Sequence, residues 1–386
     1  MRILTLVLLT GGLMLLAGCD EPLYNQWDTP VGDDELARVV RHAEPGGYIV
    51  AGEKYYANGP ADEADLYLVF VNDNGHAEWE TTYSTHMHNE PLAALQTTDR
   101  GFLVLTERSN GSGALGLYLL KVDDGGRVEW MNEVSMNGIH RVLHAVGTSD
   151  GGFAILGYSG THDQITVMKV DGAGALQFTR DYGDHATAAD LREVDGGFIL
   201  LNNVSRNNDS TVVELIRTDP WGEPQWSSEI WSYGFWIAWY VTQDTDGGFM
   251  IVGESNGGTL SSTPLVVKTD VRGNFLWRQD YDESSGATIY AVASGWSGPL
   301  IAGELSYDNG DRDGFAMHTN SSGDFLWWHA YGGSGNDWIQ DVDVTDDGGF
   351  ILAGSSASFS QGGDTDFYLL KISADGTRQW ETRGGG

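Results

Sequence analysis

Apolar and polar positions along the chain fall into short runs, some strictly alternating and some wholly apolar, separated by tight-turn sequences, and a helical period is nowhere sustained. The stretch Trp338-Ile-Gln-Asp-Val-Asp-Val-Thr345 alternates and predicts a strand, and Asp346-Asp-Gly-Gly349 turns the chain. Phe350-Ile-Leu-Ala-Gly354 is mostly apolar, as a strand covered on both faces would be. Phe367-Tyr-Leu-Leu-Lys371 predicts a third strand, Ser373-Ala-Asp-Gly376 a second tight hairpin, and Thr377 to Thr382 a fourth strand. The same pattern recurs seven times. The residue after the first turn stands at Tyr48, Phe102, Phe153, Phe198, Phe249, Leu300 and Phe350, with spacings of 45 to 54. The aromatic after a D-x-x-G turn stands at Trp79, Trp130, Phe178, Trp226, Trp277, Trp327 and Trp380. Four antiparallel strands per repeat of about 50 residues, repeated seven times, predict an all-β, seven-bladed β-propeller, whose ring must close for any blade to bury both faces.

Several recurring residues take structural roles in this reading. The aromatic after D-x-x-G is expected to plug an outer strand against the next blade. Lys121, Lys169, Lys268 and Lys371 occupy one equivalent position and are expected as blade-edge charges, while Asp123, Asp171, Asp219 and Asp270 form turns. Trp27-Asp-Thr-Pro-Val and Trp380-Glu-Thr-Arg both resemble the fourth strand, one more than seven blades need. We favour Trp380 in the last blade with Trp27 packed against the closure; the reverse assignment is the alternative.

The ends and the charge add location. Arg2, the apolar stretch Ile3 to Ala17 and the small residues before Cys19 predict a signal peptide over 1–18. Leu16-Ala17-Gly18-Cys19 resembles a bacterial lipobox, which implies lipidation of Cys19, the chain's one cysteine, and a tether over 19–26 ahead of a propeller over 27–386. A lone thiol excludes intrachain disulfides and cysteine-ligated zinc. Asp20 resembles an inner-membrane retention signal, so the expected location is the bacterial cell envelope at the periplasmic face of the inner membrane, with the outer membrane or cell surface as alternatives. With 55 acidic residues against 21 basic and a formal charge of −34, nucleic acid is not an expected partner, and a monomer is expected.

In this strand order both tight hairpins lie on one face of the disc and the variable loops on the other, which is the expected binding face. Three constellations fall there. His86, His88, His140, His144, His162 and His185, with Asp163 and Asp184, offer imidazole and carboxylate to a divalent cation such as zinc. Glu53, Glu107, Glu254 and Glu304 follow the second apolar run at one height, where a ring could take calcium or a basic group, with Arg108 and Arg312 to relieve repulsion. Trp231, Tyr233, Trp236 and Trp239 lie in one aromatic-rich interblade loop, Trp231 to Tyr240, suited to sugar rings or a partner's pocket. No H-E-x-x-H or P-loop supports an enzyme, although a glycosidase carboxylate pair stays open.

The pattern DGGF-[IM]-[LV]-x-G followed by L-x-K-x-D-x-x-G-x-x-x-W resembles a group of secreted bacterial and archaeal repeat propellers, over Trp27 to Trp380. The D-x-x-G-x-x-x-W portion alone also looks like the tryptophan-docking motif of quinoprotein propellers and of the lipoprotein scaffold in outer-membrane protein assembly. Those have eight blades and shorter repeats, and a quinone often goes with a vicinal disulfide that one cysteine cannot form. The resemblance therefore implies architecture without a quinone or oxidoreductase activity. The expected function is a lipid-anchored binding or protein-interaction scaffold with an envelope protein as partner; the alternative is a glycan-binding or glycoside-acting propeller using residues 231–240.

Overall fold

The computed structural model describes residues 23–26 and 33–384 apart from 58, 60–62, 85–86, 111–113, 161–163, 184–185, 207–209, 231–235, 256–262, 283–285, 296–297, 308 and 360–363. The expected signal peptide, Cys19, Trp27, Trp231, Tyr233, His86, His162 and His185 lie outside the described residues. Seven antiparallel sheets follow one another along the chain, each formed by four consecutive strands, giving a seven-bladed propeller. The first strands, innermost in each blade, are Asp34–His42, His88–Gln96, Ile139–Gly147, Ala186–Val194, Trp236–Gln243, Ala287–Gly295 and Asp337–Val344.

The second strands are apolar because they are covered on both sides; Phe350–Ser356 is buried at every residue. Among the described residues the buried apolar side chains form seven clusters, and each joins two neighbouring blades rather than filling one. The core therefore exists only as interfaces, and a blade without neighbours has none.

Those interfaces share a second device at the outer strand. Trp79 Nε1 donates to Asp124 O of the next blade (2.9 Å), Trp327 Nε1 to Ala374 O (3.0 Å) and Trp380 Nε1 to Asp73 O (2.8 Å). The indole lies flat on the hairpin glycine: a Cβ on Gly126, which has φ +76, would sit 2.6 Å from Trp79. Hydroxyls further along the same strands cap that glycine's carbonyl, from Tyr182 to Gly222 (2.7 Å), Ser228 to Gly273 (2.8 Å), Tyr281 to Gly323 (3.0 Å), Tyr331 to Gly376 (3.0 Å) and Thr382 to Gly75 (2.6 Å). The turn aspartates act locally as expected, Asp123 Oδ1 accepting from Gly125 N and Arg127 N.

The lysines differ from the expectation of blade-edge charges. Lys121, Lys169, Lys268 and Lys371 are all buried on third strands, and each reaches an aspartate at the turn between the first and second strands: Asp99 (3.1 Å), Asp150 (2.9 Å), Asp246 (2.6 Å) and Asp347 (2.9 Å). Lys268 also meets buried Asp244 at 2.7 Å. The four turn aspartates are about half exposed while the lysines are buried, so these pairs tie the turns to the third strands rather than solvate an edge. Only Lys268–Asp244 is buried on both sides, where removing one partner typically costs ~3–5 kcal/mol.

The ring closes between blades 7 and 1 with the contacts used elsewhere. Trp380 and Thr382 belong to the last blade's own fourth strand, Arg378–Arg383, and dock on blade 1 as their equivalents dock on later blades. Tyr67 stacks on Phe367 at 5.1 Å across the same seam. Leu23–Gln26, in the segment expected as tether, pairs parallel with Arg378–Arg383 as a fifth strand, so both termini contribute to one sheet.

The seam also buries opposing acids. Burial pushes the Glu35 carboxyl up to about 7, against the pull of Lys54 at 2.5 Å, and pushes Asp366 up to about 6, with Asp364 adding to the rise. Both groups bind protons more tightly folded than unfolded, where carboxylates titrate near ~4. Their contribution to stability is therefore fully present below about pH 4 and is lost as pH rises through 6 to 7. Asp366→Asn is expected to flatten the fall in melting temperature over that window and to raise stability at pH 8; an unchanged pH profile by thermal denaturation would refute the coupling.

Candidate ligand-binding site in the axial cavity

Each first strand carries a β-bulge against its second strand, and the bulged residues are Arg38, Leu92, Leu143, Ala189, Trp239, Tyr290 and Gln340. An unpaired residue re-aims its side chain out of the ladder. All seven line one cavity of about 260 Å³ around the propeller axis, together with Glu90, His144, Arg192, Tyr240 and Asp341. Toward the tight-hairpin face a second cavity of about 360 Å³ shares Arg41, Arg192, Val292 and Asp341 as walls. The first volume is close to the lower end of the ~300–1,000 Å³ usual for small-molecule sites.

The cavity wall is charged but internally paired. Asp190, fully buried, takes His144 Nδ1 at 2.6 Å, Arg192 Nε at 3.0 Å and Val241 N of the next blade at 2.9 Å. Burial alone would push this carboxyl up; Arg192, His144 and the Val241 amide together hold it below the ordinary range. The bond at Nδ1 fixes the His144 ring and leaves Nε2 as the nitrogen available to a ligand. Asp341 repeats the arrangement across the closing seam, accepting Val40 N (2.9 Å) and pairing with Arg41. Asp343 accepts His42 N (2.9 Å), and burial raises its pKa, only partly offset by Arg41.

The four glutamates stand on second strands but do not form a ring site. Glu53 is fully buried and held by Arg38 (2.7 Å) and His88 (3.0 Å). Glu254 accepts Ile289 N of the next blade at 3.2 Å, and Glu304 pairs with Arg312 at 3.3 Å beside Tyr290. Glu107 is half-buried, and burial followed by the charge of Glu90 raises its pKa. Arg108 gives Glu107 no relief: its Nε donates to Asn89 Oδ1 (2.8 Å) and its guanidinium covers Tyr118 at 4.0 Å.

Among the described residues the histidines do not converge either. His88, His140 and His144 lie on first strands instead of loops; His140 sits exposed at a second bulge, and His144 faces a different wall from His88. The hydrogen bond to Glu53 raises the His88 pKa, against the effect of burial.

The aromatic segment splits as well. Trp236 begins a strand and is 1 % exposed in the core between blades 4 and 5, so it cannot contact a ligand as expected, whereas Trp239 is 38 % exposed on the cavity wall. Arg38, Glu90, Asp190 and Tyr290 were not among the sequence candidates. For Arg38 and Tyr290 the signal was positional: the bulged residue stands ten places before the turn residue in six repeats, as Arg38 before Tyr48 and Tyr290 before Leu300, and nine before Phe198 in the fourth.

No protein-family model and no curated protein matches the sequence. Among solved structures the chain is similar to the β-propeller domain of the Trilobed protease from Pyrococcus furiosus, with TM-score 0.54, 8 % identity and coverage of 89 % of this chain and 98 % of that one. It is also similar to a periplasmic gluconolactonase of Pseudomonas aeruginosa, with TM-score 0.50, 12 % identity and coverage of 90 % and 95 %. At such identities the likeness supports the propeller fold alone.

The two tryptophans separate stability from surface chemistry. Trp236→Ala should cost ~3–5 kcal/mol and lower the melting temperature sharply, since it empties a packed interface. Trp239→Ala should stay within about 0.5 kcal/mol of the parent. Equal denaturation midpoints for the two variants would contradict this placement.

Proposed function

We propose that the protein is a lipid-anchored, extracytoplasmic propeller that binds a small, hydroxyl-rich ligand of the carbohydrate class in its axial cavity. The carrying observation is the ring of seven bulged residues, which places the Trp239 and Tyr290 rings on adjacent blades around the same small cavity as Arg38, Gln340, Glu90 and His144. A sugar ring offers an apolar face to an aromatic and hydroxyls to planar donors and acceptors, and this wall supplies both kinds. Tyr290 is held ready for that contact by Glu304. Anchoring through Cys19 at the inner-membrane periplasmic face rests on the lipobox-like Leu16-Ala17-Gly18-Cys19 and on Asp20.

A protein-scaffold role draws support from a different feature. Trp221, Val271, Phe275, Leu276, Phe325 and Leu326 are exposed apolar residues at the outer hairpins of blades 4 to 6, an arc on the rim suited to a protein partner. Partner capture that persists in Trp239→Ala, with no glycan binding by the parent, would favour that role over the sugar.

Screening the purified protein on a glycan array, followed by fluorescence titration of the best ligand, tests the main reading. Trp239→Ala should weaken binding about tenfold, equivalent to ~1.4 kcal/mol of lost stacking. Unaltered affinity, or no glycan bound by the parent, would overturn it. Cys19→Ser should move the protein from the membrane to the soluble fraction on cell fractionation; retention equal to the parent would remove the anchor.

A further inference from the structure

The second-strand position occupied by Glu53 has a recurring task. Its equivalents reach into the next blade and accept a backbone N–H from the residue before the bulge: Asn203 from Ala238 (3.0 Å), Glu254 from Ile289 (3.2 Å) and Ser355 from Ala37 (3.2 Å). These contacts tie neighbouring blades together beside the axis. Between blades 1 and 2 the donor position is Pro91, which has no N–H. Glu53 therefore cannot make the bond its position exists to make, although it stays 0 % exposed.

Other groups have gathered where that bond is missing. His88 and Glu90 stand two apart on one strand and so share a face. His88 Nε2 lies 3.0 Å from Glu53 Oε1, and ligand atoms of Glu53, His88 and Glu90 all fall within 4.8 Å of one another. Glu107 is the cross-strand partner of Glu90, and Arg38 holds the second oxygen of Glu53 at 2.7 Å, which fixes that carboxylate's orientation. Glu90 and Arg38 also line the axial cavity, so the cluster is reached from it.

We propose that Glu53, His88 and Glu90 form a site for one first-row divalent cation, Zn²⁺ or Mn²⁺, in the wall of the axial cavity. One imidazole with two carboxylates is a donor set for such ions rather than for calcium, which prefers oxygen alone. Charge also fits: the carboxylates of Glu53, Glu90 and Glu107 against the Arg38 guanidinium leave two negative charges, which one divalent ion neutralises. The inference stands apart from the carbohydrate reading, since it concerns the ion alone.

The full-length protein, purified in detergent without a polyhistidine tag and stripped with chelator, is titrated with Zn²⁺ and with Mn²⁺ by calorimetry, without sugar. About one equivalent should bind, and His88→Ala and Glu90→Gln should each weaken that binding at least about tenfold. Circular dichroism should show both metal-free variants folded as the parent; because Glu90 is half-buried, Glu90→Gln retains the test should His88→Ala fail to fold. No binding below about 1 mM, or binding indifferent to Glu90→Gln, would overturn the site.

Discussion

The docking of an outer-strand aromatic onto the next blade's hairpin glycine is the contact on which this structure depends. It occurs at the seam between the termini in the same form as inside the chain, with Trp380 and Thr382 on blade 1 repeating what Trp327 and Tyr331 do on blade 7. A blade has no core of its own, since every apolar cluster bridges two sheets. Stability is thus a property of the closed circle, and the D-x-x-G turn recurs because its glycine must leave room for an indole.

Around the axis a second set of contacts does comparable work with polar groups. Asp190 and Asp341, at equivalent places, each take a backbone N–H from the next first strand and an arginine side chain. Asn203, Glu254 and Ser355 likewise accept a backbone N–H from the next first strand, one layer nearer the variable loops. Because the backbone donor is constant, the accepting side chain can be an amide, a carboxylate or a hydroxyl. Chemistry can depart from structure where the donor is lost, as at Pro91, or where an extra side chain joins, as His144 joins Asp190.

The architecture was legible because it is written seven times: turn, apolar strand and docking aromatic recur at fixed offsets. The site was only partly legible. Trp236 looked like a loop aromatic because burial between blades leaves no mark on one residue, and Trp239, three places on, reads the same way. The third-strand lysines resembled edge charges because their aspartate partners lie about 20 residues away, on the far side of the intervening second strand. Bulges carry no residue signature, for arginine, leucine, alanine, tryptophan, tyrosine and glutamine all occupy them. Only alignment of the repeats against their turn residues would have lined them up. The acids of the closing seam, Glu35 and Asp366, meet only after the ring forms, at opposite ends of the sequence.

A bulged residue stands outside the pairing register of its first strand. Arg38 and Ala189 can stand at the same place in two blades because neither the neighbouring sheet nor the backbone pairing is altered by the difference. Each of the seven repeats thereby supplies one such side chain to the wall of a single cavity. Drift at these seven positions would reshape the cavity while the circle that encloses it stays the same.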